Sequence, residues 1–165
     1  MSIEFPKMIP ELTNLSVEHS TKYYSNGHKK YEGSYVSYHP VLNHTSWYDN
    51  GNKKSEYNYK VGFIIPFTPY FKITFNVKYE GLETHWYENG QKKAETTYKS
   101  GELNGLATDW YENGQKEWEI NYKDGEFDGL VTRWYENGHK EEEAIYKLGK
   151  EISLKEWNED GSLKN

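Results

Sequence analysis

Hydrophobic and polar positions alternate along most of this chain in short runs that glycine interrupts. Between residues 105 and 128, Leu106, Thr108 and Trp110 occupy alternate positions, lead into Glu-Asn-Gly, and are followed by a second run that closes on Tyr122-Lys123. A spacing of two marks a half-buried strand, and glycine about every 10 to 15 residues argues against helix. Two such runs flanking an Asn-Gly dipeptide predict a β-hairpin.

The hairpin is repeated. Residues 81–104, 105–128 and 129–152 align without gaps, and their turn glycines Gly90, Gly114 and Gly138 lie 24 apart. Earlier copies surround Gly27 and Gly51, again 24 apart, and a final half-copy places Gly161 23 after Gly138. The interval from Gly51 to Gly90 is 39, one repeat plus a 15-residue insertion. The expected organisation is an irregular segment 1–20 and an array 21–165, with copies near 21–43, 44–62, 81–104, 105–128 and 129–150, a partial copy 151–165, and an apolar insertion 63–80. The predicted fold is all-β: an elongated antiparallel meander of hairpins in one curved layer, each hairpin marginal alone and stabilised by its neighbours.

The turn type follows from the faces it creates. A three-residue loop, Glu112-Asn113-Gly114, with the glycine in a left-handed bulge, pairs Tyr111 with Gln115. Carried along the hairpin, that register places Leu106, Thr108 and Trp110 on one face with Lys116, Trp118, Ile120 and Tyr122, and leaves the other face polar. The third copy gives Trp86 and Tyr98 on that face. The fifth gives Trp134 and Tyr146, with Glu142 as a misfit.

Composition refines this picture. Hydrophobic residues make up only 35% of the chain but aromatics 17%, with sixteen Tyr and six Trp, so the apolar surface is carried by amphipathic rings instead of a deep aliphatic core. The absence of cysteine excludes disulfides, thiolate metal sites and cysteine nucleophiles. Residues 1–104 carry 12 Lys/Arg against 11 Asp/Glu, and residues 105–165 carry 8 against 15. That acidic half disfavours nucleic acid and suits a basic partner. The N-terminus lacks a basic and apolar secretory pattern, and no apolar run approaches the roughly 20 residues of a membrane span, so a cytoplasmic protein is expected.

The frame Tyr-Lys-x-Gly-x-x-x-Gly-Leu-x-Thr-x-Trp-Tyr-Glu-Asn-Gly resembles the MORN (membrane occupation and recognition nexus) repeat in its bacterial variant form. Tyr98, Gly101, Gly105, Trp110, Tyr111 and Gly114 carry the match, as do Tyr122, Gly125, Gly129, Trp134, Tyr135 and Gly138. The resemblance extends over about residues 20–165. Proteins built from this variant are often classed as YwqK-like antitoxins, so it implies a non-enzymatic binder of the antitoxin or immunity type. The family name also invites a second reading, a membrane-surface scaffold using Lys53, Lys54, Lys72 and Lys78, against which the acidic balance argues. A third is an architectural, self-associating spacer.

Two surfaces are candidates for a protein partner, a toxin or effector among them. The aromatic face contributes Trp47, Trp86, Trp110, Trp118 and Trp134 with Tyr98, Tyr122 and Tyr146. With no second sheet to cover it, this face must be curved, lidded, dimerised or occupied; alternatively its rings pack on one another and on Lys stems. The insertion contributes Phe67, Tyr70 and Phe71, either as a lid folded over that face or as an exposed anchor. Within it, KITFNVKY reads as an extra strand. Gly27, Gly51, Gly90, Gly114, Gly138 and Gly161 are structural turn glycines. The scattered histidines His19, His28, His39, His44, His85 and His139 predict no metal site, Glu95, Glu119 and Glu143 read as a solvated stripe paired with Lys, and no cofactor or catalytic residue is expected.

Overall fold

The computed structural model describes residues 16–36, 38–64 and 74–164. Twelve strands lie there: β1 (Glu18–Tyr23), β2 (Lys29–Val36), β3 (His39–Trp47), β4 (Lys53–Ile64), β5 (Thr74–Tyr79), β6 (Gly81–Trp86), β7 (Lys92–Lys99), β8 (Glu102–Trp110), β9 (Lys116–Lys123), β10 (Glu126–Trp134), β11 (Lys140–Lys147) and β12 (Lys150–Glu156). All pair antiparallel in one sheet, in chain order from β1 to β12 except that β4 meets both β5 and β6 along one edge. No helix is present among the described residues. The expected single-layer meander of hairpins is what the chain forms.

The Glu-Asn-Gly turns are the bulged loops read from the sequence. Tyr111 N donates to Gln115 O at 2.8 Å, Gly114 N donates to Tyr111 O at 2.9 Å, and Gly114 has φ 87°, a conformation glycine adopts without strain. On the opposite margin, Ser100-Gly101, Asp124-Gly125 and Leu148-Gly149 each have two positive φ angles and join paired residues, the two-residue type I′ turn that suits strand twist.

The insertion prolongs one of these far-margin hairpins. Lys60 pairs with Lys78 as Lys99 pairs with Glu102, but the ladder then continues through Val61–Val77 and Gly62–Asn76 to Ile64–Thr74. The extra strand expected from KITFNVKY is β5. Phe67, Tyr70 and Phe71, offered above as lid or anchor, lie outside the described residues.

The face assignment read from the sequence is wrong, and the reason is local. Trp110 pairs with Lys116, but Asp109 pairs with Trp118, Thr108 with Glu119 and Ala107 with Ile120. A second bulge at the start of β9 therefore absorbs one residue and inverts every later side chain relative to β8. The same shift occurs in the hairpins beginning with β1, β3, β6 and β10. Trp110, Thr108 and Leu106 share a face with Lys116, Glu119 and Asn121, whereas Trp118, Ile120 and Tyr122 face the other way with Asp109 and Ala107. Trp47, Trp86, Trp110 and Trp134 thus lie on one side of the sheet, hereafter the indole face; Trp118, Tyr98, Tyr122 and Tyr146 lie on the phenol face. Glu142 ceases to be a misfit: on the phenol face its cross-strand partner is Arg133.

Buried positions are few and small. Among the described residues Val36, Val41, Val131 and Ala144 are the buried apolar ones, and Thr84, Thr108 and Thr132 line a buried row on the indole face. Most stabilising apolar area comes from half-buried rings stacked along the array, as its aromatic-rich composition requires.

Candidate binding surfaces

Consecutive units are fastened on the Glu-Asn-Gly margin by two side chains. A tyrosine at the start of each turn, preceded by Tyr23 in the first unit and by tryptophan in the others, donates its hydroxyl to the next unit's tryptophan carbonyl: Tyr24 to Trp47 (2.8 Å), Tyr48 to Trp86 (2.9 Å), Tyr87 to Trp110 (2.7 Å), Tyr111 to Trp134 (2.8 Å) and Tyr135 to Trp157 (2.9 Å). The turn asparagine serves twice. Asn113 Oδ1 accepts from Gln115 N within its own turn, and its Nδ2 donates to Glu136 O in the next; Asn26, Asn50, Asn89 and Asn137 do the same. Asp160 stands at this position in the last turn, keeping the acceptor role toward Ser162 N but having no amide to donate.

The indole face satisfies itself. Lys29, Lys53, Lys92, Lys116 and Lys140 place Nζ 5.4–5.7 Å from the ring centres of Trp47, Trp86, Trp110, Trp134 and Trp157, the next unit's indole in each case. Each of those lysines also pairs with a glutamate three residues on, Glu32, Glu56, Glu95, Glu119 and Glu143. Lys140 holds the Glu143 carboxyl below the usual carboxylate range by hydrogen bonding, and Lys29 does the same for Glu32 with help from His19. The glutamate stripe is paired with Lys as expected, but beside the indoles. Trp157, which extends this row, went unremarked in the sequence although it lies 23 residues after Trp134.

The phenol face carries the longer aromatic file. Tyr31, Tyr35, His44, Tyr59, Tyr79 and Tyr98 follow one another with centroid separations of 5.0–6.4 Å, and Tyr122, Phe127 and Tyr146 continue the pattern at 5.1 Å. His44 is buried, donates from Nε2 to Ser34 O at 2.8 Å and accepts at Nδ1 from Tyr31, which in turn accepts from Tyr35. Burial lowers the His44 pKa and fixes the neutral ring. Burial also raises the phenols of Tyr31, Tyr59 and Tyr122, and with the adjacent Glu83 it pushes Tyr98 up to about 12, so these hydroxyls stay protonated donors at neutral pH. Glu83 is held by His85 Nε2 at 2.6 Å. Tyr57, Tyr59, Tyr79 and Asp109 were not singled out in the sequence, and His44 only as one of the scattered histidines. For Tyr59 the signal was its place eight residues after Gly51, the place that Tyr35, Tyr98, Tyr122 and Tyr146 hold after their own turn glycines.

The file is interrupted between Tyr98 and Tyr122. This junction has Ala94, Thr96 and Ala107 where the next unit has Trp118, Ile120 and Val131, and a depression of about 250 Å³ opens here, lined by Thr96, Tyr98, Ala107, Asp109, Trp118 and Tyr122 among others. Burial, and secondarily Glu117, raises the Asp109 carboxyl pKa, with Lys93 and His85 opposing. Among the described residues no group of three or more His, Cys, Asp or Glu could hold a metal ion. Of the lysines a membrane reading would use, Lys53 is engaged by Glu56 and Trp86, and Lys54 lies over Tyr48.

Comparison with known proteins gives a consistent assignment. No curated protein sequence matches the chain. The family model described as the MORN repeat variant matches five times, over residues 19–37, 42–60, 79–100, 103–124 and 127–148, which together span well over half of the chain. These matches fall on successive hairpins of the sheet, skip the prolonged hairpin, and describe a repeat module that is generally non-catalytic and used for binding. The chain therefore belongs to the MORN repeat variant family.

Proposed function

We propose that the chain is a non-enzymatic, cytoplasmic protein-binding module that masks a basic partner on its phenol face, in the manner of an antitoxin or immunity protein. The observation that carries this reading is the contrast between the two faces. On the indole face each tryptophan in the row is covered by the array's own lysine and each of those lysines by its own glutamate. The phenol face presents a file of half-buried rings with hydroxyls at their tips, the amphipathic surface that protein interfaces favour, and no second layer covers it among the described residues. The excess of Asp and Glu after residue 104 supplies attraction for a cationic partner. The test is titration of the purified chain against proteins encoded beside its gene, read by sizing with light scattering. A stoichiometric complex is expected, weakened by Tyr98→Ser and Tyr122→Ser but not by Lys92→Gln on the indole face. Absence of a complex with every neighbour, or equal weakening by all three changes, removes the reading.

A further inference from the structure

The depression between β7 and β9 has features that a merely unfilled gap would not need. Its floor is made of small side chains, Thr96 and Ala107, and its walls are the rings of Tyr98, Tyr122 and Trp118. Asp109 is the one carboxylate that lines it, and its side chain makes no hydrogen bond among the described residues. At the corresponding positions of neighbouring units stand His85 and Arg133, so the carboxylate is particular to this junction. Trp118 sits between Asp109 on β8 and Arg133 on β10, its Cα partners on either side.

The β10 side of Trp118 already shows what such a ring does here. Arg133 lays its guanidinium 4.9 Å from the indole centre and is secured by Glu141 at 3.1 Å. A cation against an aromatic ring with a carboxylate behind it is thus an arrangement this sheet builds from its own residues. On the β8 side the same ring and a carboxylate are in place, and among the described residues Asp109 forms no ion pair, although Lys93 and His85 lie near enough to oppose the rise of its pKa.

We propose that this depression binds the cationic head of a lysine or arginine side chain presented by a protein partner, with Asp109 as its counter-ion and Trp118, Tyr98 and Tyr122 as its aromatic walls. The inference rests on the protein-binding reading above and names the chemistry of its anchor. A cation–π contact of this kind strengthens when the cation is desolvated, and Asp109, on which Lys93 and His85 act without a direct ion pair among the described residues, gains a cation in contact. Choline headgroups share the cationic chemistry. They arrive with a phosphate, however, and Glu117 close to Asp109 opposes an anion there, whereas a basic protein surface is favoured by the acidic half.

The test uses the full chain labelled with ¹⁵N and four probes: the N-acetyl methylamides of lysine, arginine and norleucine, and phosphocholine. Lysine and arginine probes are expected to shift the Trp118 indole N–H and the Ala107 and Asp109 amides saturably, norleucine and phosphocholine not. Asp109→Asn, nearly isosteric, should weaken the cationic probes about tenfold. Ala107→Leu, which fills the floor without altering charge, should abolish their binding, and unchanged distant resonances would show that both variants fold. Equal response to norleucine, preference for phosphocholine, or undiminished binding in Asp109→Asn overturns the proposal. Titration of wild type and Asp109→Asn with a protein partner separates the two readings. A complex unaffected by Asp109→Asn sinks the cation site while leaving the module, whereas cation binding without any protein complex keeps the site and sinks the module.

Discussion

Replacing Tyr111 by Phe isolates one inter-unit fastener. The hydroxyl lost is partly buried and donates at 2.8 Å to the carbonyl of Trp134. Its ring stays, so packing is conserved and the change measures the hydrogen bond alone. Such a bond contributes about 1 kcal/mol net, and a partly buried carbonyl deprived of its donor raises the loss toward roughly 1.5 kcal/mol. For a chain of 165 residues unfolding cooperatively, that loss corresponds to a fall in Tm of about 2–5 °C. Because burial and the adjacent Glu117 raise the Tyr111 phenol pKa, it is a neutral donor throughout the neutral range and the loss should not vary with pH there. In a linear array energy is exchanged between nearest neighbours, so the damage is local. Urea denaturation gives the total, and native-state hydrogen exchange gives the place: amides of β9 to β11 should lose protection, while those of β2 and β3 should not. A stability change below about 0.3 kcal/mol, or protection lost evenly from β1 to β12, would refute the nearest-neighbour reasoning.

Other outcomes follow from particular residues. Leu148 holds φ 51° at the first position of a type I′ turn and is 65% exposed, so Leu148→Asn relieves left-handed strain at little cost in burial and should stabilise by about 1 kcal/mol in thermal melts. Burial places the folded His44 pKa below its unfolded value, so the unfolded chain binds the extra proton. Stability should therefore decline as pH falls below about 6.5, with β2 to β4 loosening first by hydrogen exchange, and His44→Gln should flatten that profile. Asp109 has the opposite linkage. Its folded pKa is raised, so it is the folded chain that binds the proton, and ionisation costs stability as pH climbs from the ordinary Asp value through the raised one. Asp109→Asn should then be neutral or stabilising at pH 7, with the gain vanishing in acid; destabilisation at pH 7 would contradict this.

The period, the bulged Glu-Asn-Gly loop and the Lys–Glu pairing were legible because each depends on residues close in sequence. The two-sidedness of the aromatic residues was not read, because one extra residue at the start of the outgoing strand inverts everything beyond it. The clue was nonetheless present in every copy. Lys29 and Glu32, Lys53 and Glu56, Lys92 and Glu95, Lys116 and Glu119, and Lys140 and Glu143 are three apart, a spacing that puts side chains on opposite faces of a regular strand. Their pairing is only compatible with a break in alternation between them. Asp109 could not be recognised from its position alone, since its significance comes from the small residues on the adjacent strand, its partner Ala94 and Thr96, that open the space beside it.

The prolonged hairpin of β4 and β5 shows where this architecture tolerates change. Tyr48 and Trp86 are 38 residues apart and Tyr87 and Trp110 only 23, yet the two hydroxyl bonds differ by 0.2 Å, at 2.9 and 2.7 Å. The tyrosine and asparagine fasteners form a spine along one margin that does not register how far the chain travels before it returns. The opposite margin is accordingly a port for elaboration: loops of new length or composition can be grafted there while the spine keeps its pitch.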